Sequence, residues 1–172
     1  MSKIKVFCFG FGQVAESFVN KLIKEKKDLD LAVTSRDQTH QIEYNNFKMT
    51  SFFFKDDKFD ESLKLKLEEA NYILISIPPI DGKDIVVKYL DTNFKNLRNC
   101  RWITYLSATS VYGDHKGNWV NEESITKPTS SSGINRLKAE NSWTSLSKKI
   151  NLPLQIFRSV SYTHLRAHET GY

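Results

Sequence analysis

Apolar residues in this chain gather into short solid runs that alternate with stretches of helical spacing. Residues 3–9 bring Ile, Val, Phe and Cys together and stop at Gly10, the pattern of a strand buried on both faces of a parallel sheet. Directly afterwards Ala15, Phe18, Val19, Leu22 and Ile23 recur at the spacing of one helical face. Residues 29–33 predict a second strand, the weaker run 48–54 a third, and 60–70 a leucine-rich helix. A fourth strand is expected over 72–77, ended by Pro78 and Pro79, which have no amide to continue a ladder. Val86, Tyr89, Leu90, Phe94 and Leu97 place a helix within 82–97, and 101–106 read as a fifth strand. Ala139, Trp143, Leu146 and Ile150 mark another helix, followed by a sixth strand over 152–157.

Strands and helices alternating throughout predict an α/β fold, a doubly wound parallel sheet in three αβα layers joined by right-handed crossovers. The intervening loop 113–132, rich in Gly, Asn, Pro and Ser, is the candidate mobile or lid-like element.

At 172 residues the chain is long enough for one domain with a real core and too short for two. Its apolar runs fall short of the roughly 20 residues that cross a bilayer, and no signal segment opens it, so a membrane is not an expected partner and a cytoplasmic location is expected. Cys8 and Cys100 lack the spacing of a metal site or a disulfide framework and read as buried thiols; no metal is expected. The net charge of +5 comes from lysines interleaved with acids, which read as solvated faces; no nucleic-acid partner is expected.

Gly10-Phe11-Gly12-Gln13-Val14-Ala15 matches G-x-G-x-x-A at a strand-to-helix junction, the context in which that pattern binds a dinucleotide in a Rossmann-like fold. Gly10 takes the tight turn, Gly12 lets a pyrophosphate approach the backbone, and Ala15 lets the helix sit close, its first amides facing the phosphates. Where an NAD-selective site would place an acid, the second strand ends in Thr34-Ser35-Arg36. A guanidinium and two hydroxyls suit a 2′-phosphate, so NADP is preferred over NAD, although Asp37 follows directly. Ile77 and Pro78, at the exit of the fourth strand, are expected to line the cofactor groove as scaffold.

The segment 105–143 contains Ser107-Ala108-Thr109-Ser110-Val111-Tyr112-Gly113-Asp114, then Trp119, Glu122 and Pro128, then Ser132 and Arg136-Leu137-Lys138-Ala139-Glu140. It resembles the active-site region of the extended, atypical short-chain dehydrogenases, the NAD(P)-dependent epimerase/dehydratase-like branch that includes sugar-nucleotide epimerases and dehydratases. In that superfamily, the resemblance implies, a Tyr hydroxyl transfers the proton, a Lys lowers its pKa and binds the ribose, and a Ser or Thr orients the substrate oxygen. Here Ala108 stands at the orienting position, with Ser107, Thr109 and Ser110 around it as candidate substitutes, while Ser132 and Arg136 take the Tyr and Lys positions. A serine without an adjacent base is a far poorer acid than a phenol, and arginine stays charged, so Arg136 can hold a ribose or phosphate without moving protons. Tyr112 and His115 are the remaining proton-transfer candidates. Trp119 and Trp143 read as packing residues, and Asp114, Glu122 and Glu123 as solvated loop acids.

The resemblance thus implies an NAD(P)-binding oxidoreductase with a non-standard active site, acting on a small molecule such as a sugar nucleotide, with a homodimer as the candidate assembly. The alternative is a non-catalytic NADP-binding or redox-sensing protein. Residues 160–170 resemble one translated frame of a sequencing-library adaptor. On that reading 1–158 form the nucleotide-binding domain, 159–172 are a non-native tail, and the fold is truncated before the small substrate-binding part. The metal-like spacing of His164 and His168 is set aside with the tail.

Overall fold

The structure, a computed structural model, describes residues 3–25, 28–56 and 58–160. Its elements in chain order are β1 (Ile4–Phe9), α1 (Gln13–Lys24), β2 (Leu29–Ser35), β3 (His40–Tyr44), β4 (Phe47–Lys55), β5 (Lys58–Phe59), α2 (Ser62–Glu69), β6 (Tyr72–Ile75), α3 (Ile85–Asn93), β7 (Trp102–Ala108), α4 (Ser131–Ile150) and β8 (Leu154–Ser159). The sheet runs β3-β4-β2-β1-β6-β7-β8, with β5 paired to β4. From β4 to β8 every neighbour is parallel, the winding order of a dinucleotide-binding sheet whose direction reverses between β1 and β6.

Alternating strand residues divide the core between two faces. Val6, Cys8, Leu31, Val33 and Leu74 pack with Ala15 and Val19 of α1. Phe7, Phe9, Ile73, Ile75, Ile103 and Tyr105 face the other way, beneath Leu63, Leu67, Val86, Leu90, Ala139 and Trp143 of α2, α3 and α4.

The expected alternation fails at one place. Between β2 and β4 the chain forms no helix but the antiparallel strand β3, paired to β4 in the register Tyr44↔Phe47. Gln41-Ile42-Glu43-Tyr44 alternates polar and apolar, and Asn45 and Asn46 adopt φ of 51° and 61°, the two-residue turn that suits a twisted hairpin.

Caps set where two helices start. The segment 80–83 closes a tight turn through Asp81 and Gly82, so α3 begins only at Ile85, capped by Asp84, whose Oδ1 accepts from the Val86 and Val87 amides at 2.9 and 3.1 Å. Conversely, α4 begins at Ser131, well before its first apolar marker, because Ser130 caps it through the Gly133 amide.

The loop 113–132 is stapled at its base rather than free. The Lys127 amide donates to the Tyr112 carbonyl at 3.2 Å, and a Cβ on Gly113 would sit 2.0 Å from the Lys127 carbonyl oxygen. Trp119, expected to pack, is fully exposed on this loop, whose turns are built from Asn118, Asn121 and Ser124 hydrogen bonds; Trp143 is fully buried as expected. Cys8 is buried and Cys100, contrary to expectation, only half-buried; desolvation pushes their thiols up to about 12 and about 11. Strand β8 runs through Ser159, which pairs with Ala108. Residues 161–172, with His164 and His168, lie outside the described residues. Among the described residues no helix is long and apolar enough to cross a membrane.

Candidate functional site

A cleft of about 1270 Å³ lies over the carboxyl ends of the parallel strands, at the reversal between β1 and β6. Its floor is the turn from β1 into α1. Gly10 has a φ of 86°, and a Cβ there would lie 2.7 Å from Ser76 Oγ, so both conformation and space demand glycine. Gly12 is extended, with φ −100° and ψ −174°, and a Cβ on it would meet nothing within 4 Å. Its bare face opens on the cleft beside Phe11, Gln13 and Val14, while Ala15 is buried beneath, where its small side chain lets α1 approach the sheet.

Thr34 and Ser35 line the cleft, yet their hydroxyls already have protein partners. Thr34 Oγ1, almost wholly buried, accepts from the Gly10 amide at 2.8 Å, tying the glycine turn to β2. Ser35 Oγ accepts from the Asp37 amide at 3.3 Å and from the Ser51 hydroxyl at 3.1 Å. Both hydroxyls act as acceptors in these bonds, which leaves their own hydrogens to be donated. Arg36 and Asp37 stand exposed on the rim, joined by Lys55 and Asp56 from the end of β4. Sequence reasoning missed these two because only the parallel register, Ser35↔Phe53, brings them beside Arg36.

Ile77, Pro78, Ile80 and Ile85 form an apolar wall. Opposite, Ser107, Thr109, Ser110, Ser132 and Arg136 line the far end. Ser132 sits in the first turn of α4, one turn before Arg136 on the same face. Arg136 donates through Nη1 to the Leu106 carbonyl, and its guanidinium carbon lies 6.0 Å from the Tyr105 ring centre. Burial pushes the Tyr105 phenol up to about 12 despite the opposing charge of Arg136.

Behind this wall is a buried polar cluster. Ser107 donates to Glu140 Oε1 at 2.5 Å, and Arg158 grips the same carboxylate through Nη2 at 2.8 Å and Nε at 3.1 Å. The remaining arm of Arg158 donates to Tyr112 Oη at 2.9 Å, with the guanidinium 4.8 Å from the ring centre. Arg158 is held more firmly protonated than a free arginine, chiefly by its hydrogen bond to Glu140. Tyr112 is almost fully buried in this cluster and is not among the cleft-lining residues; His115 hydrogen-bonds Ile125 on the exposed loop. The Arg136-x-x-x-Glu140 spacing was the sequence signal for Glu140, but its link to Arg158 required the β7–β8 pairing.

No protein-family model and no curated protein sequence matches the chain. Solved structures do. A conserved protein of unknown function from Silicibacter pomeroyi DSS is 27% identical, with a TM-score of 0.69 over 89% of this chain and 51% of its own. UDP-glucuronic acid 4-epimerase from Bacillus cereus, solved with NAD, is 19% identical, with a TM-score of 0.69 over 92% of this chain and 56% of its own. dTDP-glucose 4,6-dehydratase from Bacillus anthracis, also with NAD, is 14% identical, with a TM-score of 0.68 over 90% and 54%. The chain spans about half the length of these structures, and over that span it has the Rossmann-like fold of the NAD-dependent epimerases and dehydratases.

Proposed function

We propose that the chain is the dinucleotide-binding part of an epimerase/dehydratase-like oxidoreductase that prefers NADP and acts on a small molecule, with a sugar nucleotide as the first class to test. The observation that carries this reading is a single cleft running from the bare Gly12 and the opening amides of α1 to Ser132 and Arg136. The residues fit the cofactor. The amides at the start of α1 suit a pyrophosphate, Arg36 and Lys55 suit a 2′-phosphate, and the apolar wall of Ile77, Pro78 and Ile85 excludes water from a flat ring. A bound nicotinamide would supply hydride transfer at its ring. Around it, Arg136 would hold a ribose or phosphate oxygen, and the hydroxyls of Thr109 and Ser132 would orient a substrate oxygen.

The second reading, a dinucleotide-binding protein without turnover, is favoured by the same far wall. The Ser107 hydroxyl is engaged by Glu140, and a serine and an arginine, Ser132 and Arg136, stand where the resemblance implies a proton-transferring phenol and its lysine. Fluorescence titration with NADPH and NADH tests the shared premise. NADPH is expected to bind more tightly, and Arg36→Ala to remove about tenfold of that preference, as for one charge-assisted contact. Equal affinities that ignore Arg36→Ala would discard the 2′-phosphate assignment. A screen of sugar nucleotides for product formation, read by chromatography or NMR because epimerisation and dehydration return the dinucleotide to its starting state, then separates enzyme from binder.

A further inference from the structure

The β3–β4 hairpin reaches the glycine turn. Tyr44, the last residue of β3, meets Phe11 edge-on, with ring centres 5.1 Å apart and planes at 83°. Its phenol oxygen accepts from Asn20 Nδ2 at 2.9 Å, and the Asn20 side-chain oxygen accepts in turn from Asn45 Nδ2. The hairpin tip therefore grips both the middle of α1 and the residue between Gly10 and Gly12.

Within Gly10-Phe11-Gly12 only Phe11 carries a side chain, and its contact with Tyr44 is a second hold on the turn beside the Thr34–Gly10 bond. The neighbours of Phe11 are glycines, which restrain the backbone least, and Gly12 touches nothing on its open side. The amides that face the cleft at the start of α1 follow directly. A turn already held in the bound conformation loses less freedom when a ligand arrives, which raises affinity without any new contact.

We propose that the β3–β4 hairpin tip is a positioning device for the dinucleotide-binding turn, with Tyr44 and Asn20 as positioning residues that set pyrophosphate affinity from outside the cleft. Resting on the cofactor reading above, this adds residues that never touch the ligand. It also gives the antiparallel hairpin a role, because the last residue of β3, Tyr44, is the one that meets Phe11.

The experiment compares NADPH with adenosine 2′-monophosphate, which has no pyrophosphate, on the full chain and its variants, with Tm measured alongside. Tyr44→Ala is expected to weaken NADPH about tenfold while leaving adenosine 2′-monophosphate within about twofold. Tyr44→Phe, which keeps the ring but loses the Asn20 bond, is expected to weaken NADPH about two- to threefold. Phe11→Ala and Tyr44→Ala share one contact, so the double variant should bind no more weakly than the worse single one. If Tyr44→Ala does not fold, Tyr44→Leu carries the same comparison, since it keeps apolar volume without the ring edge.

A variant that lowers Tm while NADPH affinity stands would overturn the proposal, as would parallel losses for both ligands or multiplicative losses in the double variant. A wild-type chain that binds adenosine 2′-monophosphate but no dinucleotide would overturn the cofactor reading itself, and this one with it.

Discussion

Ser107, at the end of β7, donates its hydroxyl hydrogen to Glu140 on α4 across 2.5 Å, and the carboxylate that receives it is also held on two sides by Arg158 of β8. The three side chains clamp the last two parallel strands to the helix that covers them. Glu140 is 3% exposed, and Arg158 and Ser107 supply the hydrogen bonds that a buried carboxyl group needs.

Replacing Glu140 by Gln should therefore do more than remove one hydrogen bond. It leaves a guanidinium largely inside the protein with no carboxylate, a change expected to destabilise by about 2–4 kcal/mol. For a chain of this size that lowers Tm by roughly 5–15 °C. Arg158→Met in the Glu140→Leu background removes both charges and is expected to recover more than half of the loss. Thermal denaturation of wild type, Glu140→Leu, Arg158→Met and the double variant, with Glu140→Gln alongside, decides. Additive losses would mean that the pair is not coupled.

Asp84 gives a pH signature. Desolvation is the largest influence on its carboxyl and raises its pKa above the ordinary 3.8, against the lowering effect of the Val87, Trp143 and Val86 hydrogen bonds. The native state then holds its proton to higher pH than the unfolded chain does, so this group's contribution makes stability fall as pH rises from about 3.8 through the raised value. Asp84→Asn keeps an acceptor for the cap and removes the titration. The difference in Tm between wild type and Asp84→Asn should shift in favour of the variant as pH climbs through that window and then level off. A pH-independent difference would refute the assignment.

The thiols should be unreactive in the folded protein. With Cys8 pushed up to about 12 and Cys100 to about 11, the thiolate fraction at pH 8 is on the order of one in ten thousand and one in a thousand. Titration with a chromogenic disulfide should show both thiols only after denaturation, Cys100 reacting first during partial unfolding because it is half-buried. Rapid native labelling of Cys8 would contradict its burial.

What could be read from sequence followed from how local its cause was. Strands β1, β2, β6 and β7 announce themselves because solid apolar runs buried on both faces need no partner to be recognised. The edge strand β3 has only a four-residue alternation, and its turn uses two asparagines at positive φ instead of the glycine that usually marks one. The first two turns of α4 carry little apolar periodicity. They are fixed by the Ser130 cap and by Gly133, where a Cβ would come within 2.5 Å of the Ser110 carbonyl oxygen. Within the site, the Gly10 to Ala15 turn was legible for the same reason of locality. The tie between Thr34 and Gly10, the arrival of Lys55 beside Arg36 and the Glu140–Arg158 pair all depend on strand register, which no single segment encodes.

The two glycines of that turn should respond oppositely to a methyl group. At Gly10 an added Cβ meets Ser76 Oγ at 2.7 Å and Ile77 Cγ1 at 3.1 Å with the backbone at positive φ, so Gly10→Ala is expected to destabilise by about 1–3 kcal/mol and to weaken NADPH as a consequence. At Gly12 the backbone is extended and the space open, so Gly12→Ala should leave stability unchanged or raise it by about 0.5 kcal/mol through the unfolded chain. Its methyl group nevertheless projects where a pyrophosphate would approach, so NADPH affinity should fall at least tenfold, and Gly12→Val should abolish binding in a protein that melts normally. Paired Tm and NADPH titrations separate the two effects. Undiminished binding by Gly12→Val would place the nucleotide elsewhere in the cleft, since nothing but a ligand stands to be displaced at that position.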